Sequence, residues 1–224
     1  MAGLLATLTS IAAAGTLMVS SAVNEAAPQN DPDGVFLVNR QWRISEDYVP
    51  ELRMADVTGQ VRRLRPDAAT ALEEMYAAAK EEIGVTLTSI SGYRSYSKQQ
   101  TIYKNKLTRV NGSYAKADEY VARPGASEHQ LGLAMDVGQK NSKTGLSAKF
   151  ADTKGGQWLA ENCYRFGFIL RYQADWEDIT GYKYESWHVR YVGKELSMSI
   201  KEANVPLETY LLSLREETLM NIVK

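Results

Sequence analysis

Between Pro66 and Ser95 the chain carries its firmest folding instruction. Pro66 suits the first position of a helix, where its missing N–H would have no partner in any case. Leu72, Met75, Tyr76 and Ala79 then recur on one face, while Glu73, Glu74, Lys80 and Glu81 fall elsewhere. Gly84 is placed to end that helix. Directly after it, Val85-Thr-Leu-Thr-Ser-Ile alternates and is rich in β-branched residues, which reads as a strand. The strand runs into Ser91-Gly-Tyr-Arg-Ser, and a second helix follows from about Ser97 to Lys106.

The rest of the chain repeats this mixture without a regular alternation. Residues 41–65 read as extended segments and loops, and 107–127 as a long loop with a short helix around Ala117 to Val121. Leu133 to Val137, Phe168-Ile-Leu-Arg-Tyr and Trp187 to Val192 have strand patterns. Helical patterns occupy 156–166, stopped by Gly167, then 194–203 and 206–218, the last opening with Pro206. Helices and strands in irregular order predict an α+β fold with a small, mainly antiparallel central sheet flanked by helices. A length of 224 residues fits one catalytic domain and a short extension. That domain is expected over 35–224, preceded by a polar linker at 24–34 and an apolar leader at 1–23. The leader has no charged residue and small residues at Ser20-Ser21-Ala22, as in an export signal or an uncleaved membrane anchor. It lacks the positive start of such signals, since the first Lys or Arg is Arg40.

Charge and cysteine usage narrow the chemistry. Lys and Arg number 26 against 27 Asp and Glu, and no long basic run occurs, so neither nucleic acid nor an anionic membrane surface is an expected partner. Cys163 is the only cysteine, which excludes an internal disulfide and a cysteine-based zinc cage. In its helical setting it reads as a small buried hydrophobe.

Only two histidines occur, and each lies in a dense polar cluster: Ser127-Glu-His129-Gln-Leu-Gly132-Leu-Ala134-Met-Asp136, and Glu185-Ser-Trp187-His188. A catalytic zinc site needs three such ligands, an open position for water and a nearby general base. With 133–137 as a strand, Ala134 and Asp136 share one face, and Leu133, Met135 and Val137 the other. A strand from 187 likewise sets His188 and Arg190 opposite Val189 and Tyr191. Glu185 precedes His188 by three residues, an odd spacing that would send it to the wrong face, so a turn or bulge is expected at Glu185. Glu128 is the carboxylate that competes with Asp136. The helical H-E-x-x-H arrangement is absent.

Three blocks in order carry a family likeness: Ser91-Gly92-Tyr93-Arg94-Ser95 with Gln99, Ser127 through Asp136, and Glu185-Ser186-Trp187-His188. The chain resembles the VanY-type D-alanyl-D-alanine carboxypeptidases over about residues 36–215. The resemblance implies a zinc ion (Zn2+) held by His129, Asp136 and His188, with Glu185 as general base. Arg94 would stabilise the developing oxyanion or grip a substrate carboxylate, and Ser127 and Gln99 would hold the D-amino-acid end of the substrate. It also implies the compact α+β fold shared with the hedgehog signalling domain and with endolysin peptidases. The expected partners are peptidoglycan stem peptides met outside the cytoplasm, and the expected state is a monomer. An L,D-carboxypeptidase, an endolysin-like endopeptidase and a non-catalytic zinc-bearing wall-binding module stay open as alternatives. The last is disfavoured by the presence of Glu185.

Overall fold

The computed structural model describes residues 37–222, so the leader expected at 1–23 and the linker at 24–34 lie outside the described residues. Two short strands, β1 (Arg53–Met54) and β2 (Arg63–Leu64), pair antiparallel. Helix α1 (Pro66–Ile83) follows with Pro66 in its first turn and ends on Gly84, whose φ of 70° is left-handed. Its buried residues are Ala68, Ala69, Ala71, Leu72, Met75, Tyr76 and Ala79. Four alanines on that face let the helix lie close to what it covers, the strand β3 (Leu87–Ser91) that follows it.

Helix α2 (Tyr96–Arg109) starts where the Ser95 hydroxyl accepts from the Lys98 N–H at 3.2 Å. Ser113 caps the short α3 (Tyr114–Asp118) in the same way. Next come β4 (Ala134–Gln139), α4 (Lys154–Asn162), β5 (Phe168–Tyr172), α5 (Glu177–Thr180) and β6 (Glu185–Tyr191). Helices α6 (Lys194–Ala203) and α7 (Leu207–Ile222) close the fold. Strands β3, β4, β6 and β5 form one sheet in that order, every neighbouring pair antiparallel. The expected α+β class with a small antiparallel sheet is what the chain adopts.

One expected helix is broken. The pattern over 156–166 divides into α4 and a tighter 3₁₀ turn, Cys163–Phe166. That turn delivers the chain into β5 through Gly167, which has φ 84° and where a Cβ would stand 2.7 Å from the Tyr191 ring. Cys163 on this turn is fully buried, and burial pushes its thiol up to about 12. It is inert core, as its setting suggested.

Candidate active site

The pleat of β4 and the register of its neighbours assemble the site. Asp136 pairs with His188 on β6 and lies opposite Ser91 on β3, so its carboxylate sits mid-sheet between two strands. Ala134, on the same face of β4, is fully buried and leaves room beside it. His129 arrives by a separate route, on a single 3₁₀ turn, Glu128–Leu131. Gly132 ends this turn at φ 71°, returning its N–H to the His129 carbonyl at 3.2 Å. The same carbonyl accepts from the Arg94 N–H at 3.1 Å, which ties the Ser91–Ser95 block to the histidine block.

Both imidazoles have their outward nitrogens occupied. His129 Nδ1 lies 2.8 Å from the Gly92 carbonyl, which can only accept, so Nδ1 carries the proton and Nε2 is left to face Asp136 at 3.4 Å. This explains the glycine: a Cβ on Gly92 would stand 2.7 Å from the Arg63 carbonyl and 3.0 Å from Met135 Cε. His188 shows the opposite arrangement, with Nε2 3.3 Å from Glu128 Oε2 and Nδ1 3.0 Å from Asp136 Oδ1. The two rings meet edge to face with centroids 5.1 Å apart. The three residues offer ligand atoms that all lie within 4.8 Å of one another, and all three are buried. Two imidazoles turned inward by hydrogen bonds on their far nitrogens, beside one carboxylate, are a donor set that suits zinc.

Burial, charge and hydrogen bonding shift the three residues in different directions. Burial alone would raise the Asp136 carboxyl, but the two imidazoles outweigh it and hold it well below the usual carboxylate range. Burial and the Arg94 charge push His129 down, keeping it neutral. Burial works against the charged form of His188 too, yet hydrogen bonds to Asp136 and Glu128 lift it to about 9.

Glu185 opens β6, and the register between β5 and β6 shifts between Leu170 and Tyr172, the residue paired with Glu185. The expected irregularity is there, and it brings Glu185 Oε2 to 3.8 Å from His188 Nδ1. Burial raises the Glu185 carboxyl to about 7, against the pull of His188 and Arg94. A carboxylate beside a metal-type site with that pKa is poised to take and return a proton near neutral pH.

Arg94 lines the same cavity, with its guanidinium donating to Gln99 Oε1 at 2.7 Å and Ser91 Oγ at 2.9 Å, and with Nη2 3.7 Å from Asp136 Oδ2. Gln99 uses the other end of its amide on the Ala122 carbonyl at 2.6 Å, so it braces Arg94 against the 119–123 loop. Ser127 precedes the 3₁₀ turn, makes no cap hydrogen bond with its side chain, and lines the cavity. The cavity measures about 620 Å³. Its wall also includes Tyr172, Tyr184 and Trp187.

Glu128 stands behind His188, not beside Asp136. Its Oε1 accepts from Arg171 Nε at 2.8 Å and Arg190 Nη1 at 2.9 Å, and its Oε2 faces His188. Sequence patterns gave no role to these two arginines. The available signal was a charged residue set inside the apolar runs of β5 and β6, where an unpaired guanidinium would be costly.

The fold has counterparts among known proteins. A model of the family VanY: D-alanyl-D-alanine carboxypeptidase matches residues 61–194. The putative carboxypeptidase YodJ of Bacillus subtilis strain 168 is 43% identical over 189 residues, which are 81% of this chain and 68% of that protein. Among solved structures, the LdcB LD-carboxypeptidase superimposes with a TM-score of 0.73 at 43% identity, covering 78% of this chain and 84% of its own. A zinc complex of a variant of the vancomycin-resistance D,D-pentapeptidase VanY, from a VanB-type cassette, gives a TM-score of 0.67 at 38% identity over 79% of this chain and 97% of its own.

Proposed function

The chain belongs to the VanY family of D-alanyl-D-alanine carboxypeptidases, and on that premise we propose that it is a zinc-dependent enzyme removing the C-terminal D-Ala of peptidoglycan stem peptides. The observation that carries this reading is the convergence of His129, Asp136 and His188, with their ligand atoms within 4.8 Å and Glu185 beside them. When bound, zinc supplies Lewis acidity, which acidifies a water and polarises a carbonyl. The remaining work falls to the chain. Glu185 takes the proton from the attacking water and returns it to the leaving amine as the peptide C–N bond breaks. The Gly92 carbonyl fixes the tautomer of His129, and Glu128 faces the far nitrogen of His188. Arg94, braced by Gln99 and Ser91, supplies a cation for the terminal carboxylate or for the developing oxyanion. Ser127 offers a hydroxyl at the cavity wall for the D-amino-acid end of the substrate. The apolar leader at 1–23 supports action outside the cytoplasm, where stem peptides are found.

A second reading, L,D-carboxypeptidase, is favoured by one observation: the 43% identity to the LdcB enzyme exceeds the 38% to the D,D-pentapeptidase. Both readings share the zinc centre and differ in the residue that precedes the terminal D-Ala. Mass spectrometry of stem pentapeptide and tetrapeptide after incubation with zinc-loaded protein separates them. Shortening of the pentapeptide alone supports the D,D reading, and shortening of the tetrapeptide supports the L,D reading. Cuts inside the stem, or equal cleavage of a C-terminally amidated pentapeptide, would contradict both.

A further inference from the structure

Behind the zinc-type cluster lies a second, wholly buried group of charges. Arg171 and Arg190 are among the largest fully buried side chains of the described residues, at 1% and 0% exposure. Both donate to Oε1 of Glu128, whose side chain is itself fully buried. Arg171 also makes a two-pronged pair with Glu208 of α7, at 2.9 and 2.6 Å, and Glu208 Oε1 accepts in addition from Asn39 Nδ2 at 3.2 Å. Glu128 therefore has one oxygen fixed by two guanidinium groups and the other aimed at His188 Nε2. Two carboxylates are thus packed against two guanidinium groups inside the fold.

We propose that Glu128 is a positioning residue for the metal centre: clamped by Arg171 and Arg190, it holds the Nε2 proton of His188 and so presents Nδ1 to the ion. Glu208 on α7 anchors the clamp from outside and serves chiefly stability. This rests on the metal assignment made above. A carboxylate in this position raises the basicity of the imidazole and fixes its ring, and losing such a partner commonly weakens metal affinity 10–100-fold.

The test compares Glu128→Gln and Glu208→Gln with the wild-type chain, measuring zinc dissociation constants by competition with a chromophoric chelator and thermal unfolding of each zinc-free form. Glu128→Gln is expected to weaken zinc binding by about 10–100-fold. Glu208→Gln should lower the unfolding temperature while moving zinc affinity by less than about threefold on the same reasoning. Zinc affinity that is unchanged in Glu128→Gln, or that falls in both variants in step with lost stability, would overturn the proposal. Should Glu128→Gln fail to fold, nitrogen-15 spectra of the wild-type zinc form decide the matter, because only two histidines contribute. A slowly exchanging, strongly downfield Nε2 proton on His188 supports the clamp, and a proton in fast exchange with solvent contradicts it. A wild-type chain that binds no zinc would remove the metal assignment as well as this inference.

Discussion

The two faces of β4 are buried alike and built on opposite principles. Met135 and Val137 are fully buried on one face, and Ala134 and Asp136 are 0% and 3% exposed on the other. Depth alone does not tell them apart. At Met135 and Val137, contact area and close packing stabilise the chain, and neither side chain needs a polar partner. On the Asp136 face, every buried polar atom must be matched, and His129, His188 and Glu128 meet that need through named hydrogen bonds and Arg94 through an ion pair. A single strand can thus anchor the fold with its odd residues and carry the chemistry with its even ones. The pleat keeps the two apart.

If the separation is real, substitutions on the two faces should fail in different ways. The largest effect is expected at the site. His188→Ala removes one of three ligands and should reduce zinc content from about one ion per chain to near none, with loss of hydrolysis. Metal analysis after gel filtration measures this, and full zinc occupancy in that variant would place the ion elsewhere. On the opposite face, Met135→Ala should destabilise the chain by roughly 2–5 kcal/mol while leaving zinc content unchanged. Denaturant unfolding with parallel metal analysis reads both quantities, and zinc lost in proportion to stability would erase the distinction between the faces. The smallest effect is expected at the site's edge. Arg94→Lys keeps the charge but loses the planar fork that Gln99 and Ser91 orient, and should cost about tenfold or somewhat more in kcat/KM at unchanged zinc content. An unaffected rate would show that the guanidinium geometry is idle in turnover.

Much of this was legible in the sequence wherever the information is local. Pro66 and Gly84 mark the ends of α1, the alternation of 85–90 gives β3, and the pleat assigns Asp136 and Met135 to different faces. The odd spacing from Glu185 to His188 also sufficed to demand an irregularity, and the register between β5 and β6 contains one. The rest depends on distant meetings that no local pattern encodes. Glu128 finds Arg171 43 residues away and Arg190 62 away, and Arg171 finds Glu208 37 away. The brace of Gln99 on the Ala122 carbonyl likewise spans 23 residues, and no local pattern shows it. The 3₁₀ turn at Cys163–Phe166 escaped for another reason: its residues suit a helix, and only the close approach at Gly167 tightens the chain there.

The central claim is that Glu185 performs the proton transfers while the metal cluster and the apolar face stand independently of it. Glu185→Gln tests this most directly, since it preserves shape and removes the base. Release of D-Ala from stem pentapeptide, or from tetrapeptide if that proves the substrate, should be followed together with zinc content and thermal unfolding of the same sample. The account predicts about one zinc per chain, an unfolding temperature close to wild type, and turnover lower by roughly 10²–10⁴-fold. Turnover near the wild-type rate with zinc in place would contradict it and return the search to another carboxylate of the site.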